Sequence, residues 1–115
     1  MIAVRENNEA IVVEVDGEFA ERSLEEFNGV ISTLIKDGNV RVILNLKRSH
    51  RTSLKALKWL VGNEKKLRAQ NGDLKLAGLN PYMSNLLEVT GTKHVFDVYS
   101  TVEDALASYR LVPQS

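Results

Sequence analysis

The chain has no cysteine, only two prolines, and seven aromatic side chains: one tryptophan, three tyrosines and three phenylalanines. Without cysteine there is no disulfide framework, no thiolate nucleophile and no thiolate metal ligand. No apolar run approaches the roughly 18 residues that a membrane span needs, so no membrane insertion is expected. The start, Met1-Ile2-Ala3-Val4-Arg5-Glu6-Asn7, lacks the basic-then-apolar pattern of a secretion leader, and the expected location is cytoplasmic. Also missing are a Gly-x-Gly-x-x-Gly turn after a strand and a glycine-rich loop before a Lys-Ser/Thr pair. His50 and His94 stand 44 positions apart with no carboxylate at ligand spacing, so neither a metal nor another cofactor is expected.

What is present describes one globular domain over residues 1–115. The chain is 43% hydrophobic and 26% charged, too apolar for disorder and long enough to bury a core. Its net charge of zero hides an uneven distribution. Residues 1–46 carry four basic and nine acidic side chains, net −5. Residues 47–75 carry nine basic and two acidic, net +7, and residues 76–115 are net −2. A middle segment this basic suits an acidic partner or a phosphate group. The plainer reading is a solvated helix face. Nucleic-acid binding is not expected, because the flanks are acidic; it would show as affinity falling steeply with salt.

The pattern alternates strand and helix. Ala10–Val15 is a β-branched strand ended by Asp16-Gly17-Glu18, and Ile2–Arg5 can pair with it as a hairpin. Ser23-Leu24-Glu25-Glu26 reads as a capping box, with Leu24, Phe27, Val30, Ile31, Leu34 and Ile35 forming one helical stripe up to Asp37-Gly38-Asn39. Val40–Leu46 is almost continuously apolar, as a central strand covered on both faces would be. After the polar loop Lys47–Thr52, Ser53 is a helix N-cap, and Leu54, Leu57, Leu60, Val61 and Leu67 form a core face.

Asn71-Gly72-Asp73 stops that helix, and Leu74–Leu79 is the next strand. Asn80-Pro81 opens a third helix with Met83, Leu86 and Leu87 inward and Gly91 at its end. Val95–Tyr99 reads as a short strand. Thr101-Val102-Glu103-Asp104 is a second capping box before Val102, Ala105, Leu106 and Tyr109. The prolines Pro81 and Pro113 both fall at boundaries. The order β-β-α-β-α-β-α-β-α predicts a mixed, mostly parallel sheet of about five strands flanked by about four helices.

Side-chain chemistry alone yields no active site. Ser53 and His50 could form a nucleophile pair on paper, but no orienting carboxylate or oxyanion donor set accompanies them. Trp59 reads as a half-buried packing residue, and Tyr82 and Met83 as core or partner-facing. The chain is expected to be no enzyme.

From Val40 onward the ordered motifs resemble the STAS domain family, which includes anti-sigma factor antagonists and domains of sulfate transporters. Val42-Ile43-Leu44-Asn45-Leu46 corresponds to the family's strand before its regulatory loop. Gln70-Asn71-Gly72-Asp73-Leu74-Lys75-Leu76 is similar to its Gly-Gly-Glu-Leu-x-Leu segment. Gly78 to Gly91, with Pro81, Leu86 and Leu87, is similar to its Gly-x-x-Pro/Ser-x-x-x-x-Leu-Leu-x-x-x-Gly helix. Val95–Tyr99 with Val102–Leu106 resembles its closing strand and helix, and Val13–Phe19 its N-terminal Gly-Glu/Asp-Leu turn.

The resemblance breaks at one place. The family's Asp-Ser-Ser/Thr-Gly-Leu signature, whose first Ser is phosphorylated by a kinase that is also the anti-sigma factor, falls on Ser53-Leu54-Lys55-Ala56-Leu57 when counted without gaps from Gly72. The phosphoacceptor-equivalent position is then Leu54, which has no hydroxyl. A one-residue slip makes Ser53 the acceptor, with Thr52 in place of the Asp. The resemblance implies a non-catalytic interaction module acting in partner-switching signalling, without the usual serine switch.

Its partner would be an anti-sigma factor or switch-kinase-like protein with an acidic surface. Alternatives are a STAS subunit of a transporter or lipid-trafficking system, or an anion or phospho-ligand module. The candidate interaction or anion-binding residues are Lys47, Arg48, Ser49, His50, Arg51, Thr52 and Ser53, continued on the helix by Lys55 and Lys58. Phosphorylation of Ser49, Thr52 or Ser53, and the choice between monomer and homodimer, stay open at this point.

Overall fold

Alternation along the strands sorts the apolar residues into two layers. The computed structural model describes residues 2–110 and contains β1 (Ile2–Glu6), β2 (Ile11–Asp16), β3 (Arg41–Arg48), β4 (Asp73–Ala77) and β5 (Val98–Tyr99). Met1 and the expected boundary at Pro113 lie outside the described residues. The strands form one sheet in the order β1-β2-β3-β4-β5. β1 pairs with β2 antiparallel, as the expected hairpin, and every later pairing is parallel. β3 is therefore central, which explains why Val42, Ile43, Leu44 and Leu46 are all buried.

The connections are α1 (Glu21–Lys36), α2 (Leu54–Arg68), α3 (Pro81–Val89) and, after β5, α4 (Val102–Arg110). Val13, Leu44 and Leu76 on one sheet face pack with Phe27 and Ile31 of α1, Leu57 and Leu60 of α2, and Met83 and Leu87 of α3. Val12, Ile43 and Ala77 on the other face pack against Ala105 and Leu106 of α4. Three helices thus cover one face and one covers the other. Successive crossovers moving in one direction across a parallel sheet give this arrangement.

Three local readings are corrected. Ser23 does not cap α1: the helix starts at Glu21 after Ala20, and the Ser23 hydroxyl donates to the Glu18 carbonyl at 2.9 Å. Glu21 in the first turn suits the helix dipole, so the helix can begin ahead of its serine. Val95–Tyr99 is not a continuous strand. A 3-10 turn covers Lys93–Val95, Phe96 is buried as an anchor, and only Val98 and Tyr99 join the sheet. Leu54 is not core: it is 50% exposed. The inward line of α2 instead runs through Ala56, Leu57, Leu60, Asn63, Glu64 and Leu67.

Asn63 and Glu64 are buried polar groups. One Glu64 oxygen accepts from the Leu74 amide at 2.6 Å and the other from Arg68, so the carboxylate joins α2 to the start of β4. Gly72 is required there, because a Cβ would lie 2.0 Å from the Val40 carbonyl oxygen. Gly29 in α1 and Gly62 in α2 have no such reason: a Cβ at either would meet open space. Each costs its helix about 1 kcal/mol relative to alanine.

Candidate functional site

The loop between β3 and α2 lies at the carboxyl end of the parallel strands, where open α/β sheets place their binding sites. It is fixed from both sides. On one side the turn before α1 holds it: Gly17 N donates to the Arg48 carbonyl at 3.2 Å, Phe19 N donates to the Arg51 carbonyl at 2.9 Å, and the Thr52 hydroxyl donates to the Phe19 carbonyl at 3.0 Å. On the other side Asn80 does two jobs. Its Oδ1 accepts from Met83 N at 2.8 Å as the N-cap of α3, and its Nδ2 donates to the His50 carbonyl at 3.0 Å.

The expected N-cap of α2 is present. Ser53 has extended backbone angles, and its Oγ accepts from Ala56 N at 3.0 Å. Leu54 is thus the first helical residue, half exposed at the mouth of the helix. Tyr82, the second residue of α3, is 54% exposed, with its hydroxyl 3.4 Å from the Thr52 carbonyl. An open depression of about 540 Å³ is lined by Glu18, His50, Arg51, Thr52 and Tyr82. It is shallow and mixed in character, with an aromatic wall, two nitrogen-bearing side chains and one carboxylate.

The candidate residues do not all converge. His50 and Arg51 line the depression, and Thr52 borders it. Ser49 is 1% exposed, so its side chain offers nothing to a partner. Strand alternation turns Lys47 to the α4 face with Asn45, away from Arg48. Lys55 lies 3.8 Å from Glu21, both largely exposed, which makes a weak pair. Lys58 is exposed one turn further along α2. Among the described residues no hydrogen bond joins His50 to Ser53, and no group of three or more His, Asp or Glu side chains could hold a metal ion. No helix among them is long and apolar enough to cross a membrane.

Sequence reasoning missed the roles of Glu18 and of the Asn80 amide nitrogen. Asn80 was legible as a cap because Asn-Pro opens a helix. Its second bond spans 30 residues of sequence and has no local signal.

The polar cluster beneath the sheet is structural. Tyr109 donates to Asp73, and Lys75 lies 3.4 Å from Asp73 and 3.1 Å from Asp97, stacked over Tyr109 at 4.7 Å. Burial pushes the Tyr109 hydroxyl far above its ordinary value of 10.0, and the Asp73 hydrogen bond adds to the rise. For Lys75 burial acts to lower the value, but the Asp97 hydrogen bond and the Asp73 and Asp97 charges outweigh it, leaving the amine raised.

Known proteins share this arrangement. BtrV of Bordetella bronchiseptica, a candidate anti-sigma factor antagonist, is 28% identical over 86 residues, covering 75% of this chain and 74% of that protein. A candidate anti-sigma factor antagonist from Thermotoga maritima superposes with a TM-score of 0.87 at 16% identity, covering 95% of this chain and 94% of the other. The Bacillus cell fate determinant SpoIIAA, in its phosphorylated form, superposes with a TM-score of 0.74 at 22% identity, over 94% of this chain and 98% of its own. The STAS domain model matches residues 1–105, and with the shared sheet order and helix placement this chain belongs to the STAS domain family.

Proposed function

We propose that the chain is a non-catalytic docking module of the anti-sigma factor antagonist kind, acting in the cytoplasm by binding a switch-kinase-like anti-sigma factor through the mouth of α2. The observation that carries this reading is the exposure of two large side chains around the loop before α2, Leu54 as the first residue of α2 and Tyr82, which lines the depression with Arg51. An apolar and aromatic centre with a charged rim is the composition of a protein interface. The similarity to BtrV supports the partner class.

Leu54 in the phosphoacceptor-equivalent position supports a module without the usual off-switch. In a relative carrying serine there, phosphate would add charge and bulk in the middle of the contact. Leu54 cannot accept it, and the Ser53 hydroxyl is engaged in capping α2. Arg48, Arg51 and Lys58 would then steer an acidic partner surface rather than set its affinity.

The test is a pull-down with the native kinase-type anti-sigma factor, with and without ATP, followed by phosphate mapping over residues 49–54. The reading expects a complex that ATP does not release and no phosphate on the chain. Co-purification with a membrane transporter instead would favour a transporter subunit. Phosphate on Ser53 would restore the slipped alignment and the family switch.

A further inference from the structure

The outer faces of α1 and α2 carry opposite charge. On α1, exposed Glu21, Glu25 and Glu26 stand in the first half of the helix and outnumber the one exposed base there, Arg22. On α2, exposed Lys55, Lys58, Lys65 and Lys66 occupy the side turned away from Leu60 and Leu67. Among the described residues, only Glu21 and Lys55 of these eight form an ion pair. Gly29 and Gly62 lie midway along the same two faces, with open space where a side chain would stand. Glycine in an exposed helix interior weakens the helix, and nothing among the described residues uses the room it leaves.

We propose that two copies of this chain associate through these faces about a two-fold axis, α1 of each lying on α2 of the other, with Glu25 against Lys58. The two helices lie side by side on one sheet face, with Phe27 and Trp59 in contact at 5.3 Å between ring centroids. Each links one parallel strand to the next, so both run in the same direction. A two-fold axis in the interface plane and parallel to them carries α1 onto the partner's α2 without changing its height. Residues level within one copy therefore meet between copies.

The Glu21–Lys55 pair sets that level. Glu25 stands four residues beyond Glu21, and Lys58 three beyond Lys55, rises of about 6 and 4.5 Å. Gly29 and Gly62 stand eight and seven residues beyond, about 12 and 10.5 Å. Glutamate thus faces lysine and glycine faces glycine, each twice by symmetry. A foreign acidic partner would need only the lysine face. Two adjacent faces of opposite sign, matched in height, complement a second copy of themselves. The glycines let the backbones approach closely enough for the short acidic side chains to reach. This inference is independent of the docking reading, and Lys55 and Lys58 are the residues the two surfaces share.

Sedimentation equilibrium of the purified chain tests it. The expected result is a dimer at low salt whose dissociation constant rises roughly tenfold or more at high salt, because exposed ion pairs are screened. Glu25→Lys alone and Lys58→Glu alone each place like charges at both contacts and give monomers. Their equimolar mixture restores opposite charges at both contacts and gives a dimer. Gly62→Leu strengthens α2 yet removes the dimer, which separates association from folding. Both reversed side chains are exposed, so circular dichroism is expected to show an unchanged fold. A wild-type monomer at all concentrations, a dimer that survives both reversals, or a mixture that stays monomeric would each overturn the proposal.

Discussion

The Tyr109 hydroxyl donates to Asp73 Oδ1 at 2.6 Å, tying the last helix to the first residue of β4. The bond needs the phenol to keep its proton. Lys75 completes the cluster between Asp73 and Asp97. Both titrating groups lie above their ordinary values in the folded chain. Each therefore holds its proton more tightly folded than unfolded, and stability falls as pH rises past the unfolded values. Denaturant midpoints are expected to stay level up to about pH 9.5 and to drop beyond about pH 10. Tyr109→Phe is expected to cost about 1–2 kcal/mol at neutral pH and to flatten the alkaline drop.

Glu64 gives a second stability prediction. Its buried carboxylate accepts from the Leu74 amide and Arg68 together. Glu64→Ala strands a buried amide and leaves a hole, and is expected to cost about 3 kcal/mol by urea titration. Arg68→Ala leaves the buried Glu64 carboxylate without its counter-charge and is expected to cost a comparable amount.

The mouth of α2 separates stability from switching. Ser53→Ala removes the N-cap and is expected to cost about 1 kcal/mol. Leu54→Ser is expected to change stability by less than about 0.5 kcal/mol, because the side chain is half exposed. It nevertheless supplies a hydroxyl at the position proposed as equivalent to the family's phosphoacceptor. Incubated with the anti-sigma kinase and ATP, Leu54→Ser is expected to take up phosphate that the wild-type chain does not. Mass spectrometry reads the difference.

Most of the architecture could be read from the sequence because its signals are local. The apolar run Val42–Leu46, interrupted only at Asn45, marks the central strand, and Ser53 and Asn80 mark the starts of α2 and α3. The errors have physical causes. Leu54 sits three residues before Leu57, so spacing alone places it on the core stripe, yet as the first helical residue it is half exposed while Ala56 and Leu57 take the buried positions of that turn. Ser23 fits a capping box, but the turn at Glu18 takes its hydroxyl first. The site was only half legible. Arg51 and His50 were visible as loop residues, whereas the depression they line depends on Glu18 from the turn before α1 and Tyr82 from the first turn of α3.

Arg48→Glu with Arg51→Glu tests the steering role. Both side chains are exposed, so the fold is expected to persist. Association with an acidic anti-sigma partner is expected to slow about tenfold or more at low salt, with a smaller change at high salt. Stopped-flow or surface-binding kinetics separate this from a change in dissociation.

The central claim is docking by a helix mouth that cannot be phosphorylated. Titration calorimetry of the wild-type chain into its kinase-type anti-sigma factor, before and after incubation with ATP, tests it most directly. The account predicts the same dissociation constant in both, lost in Leu54→Asp. Affinity that vanishes after ATP, with phosphate on Thr52 or Ser53, would contradict it.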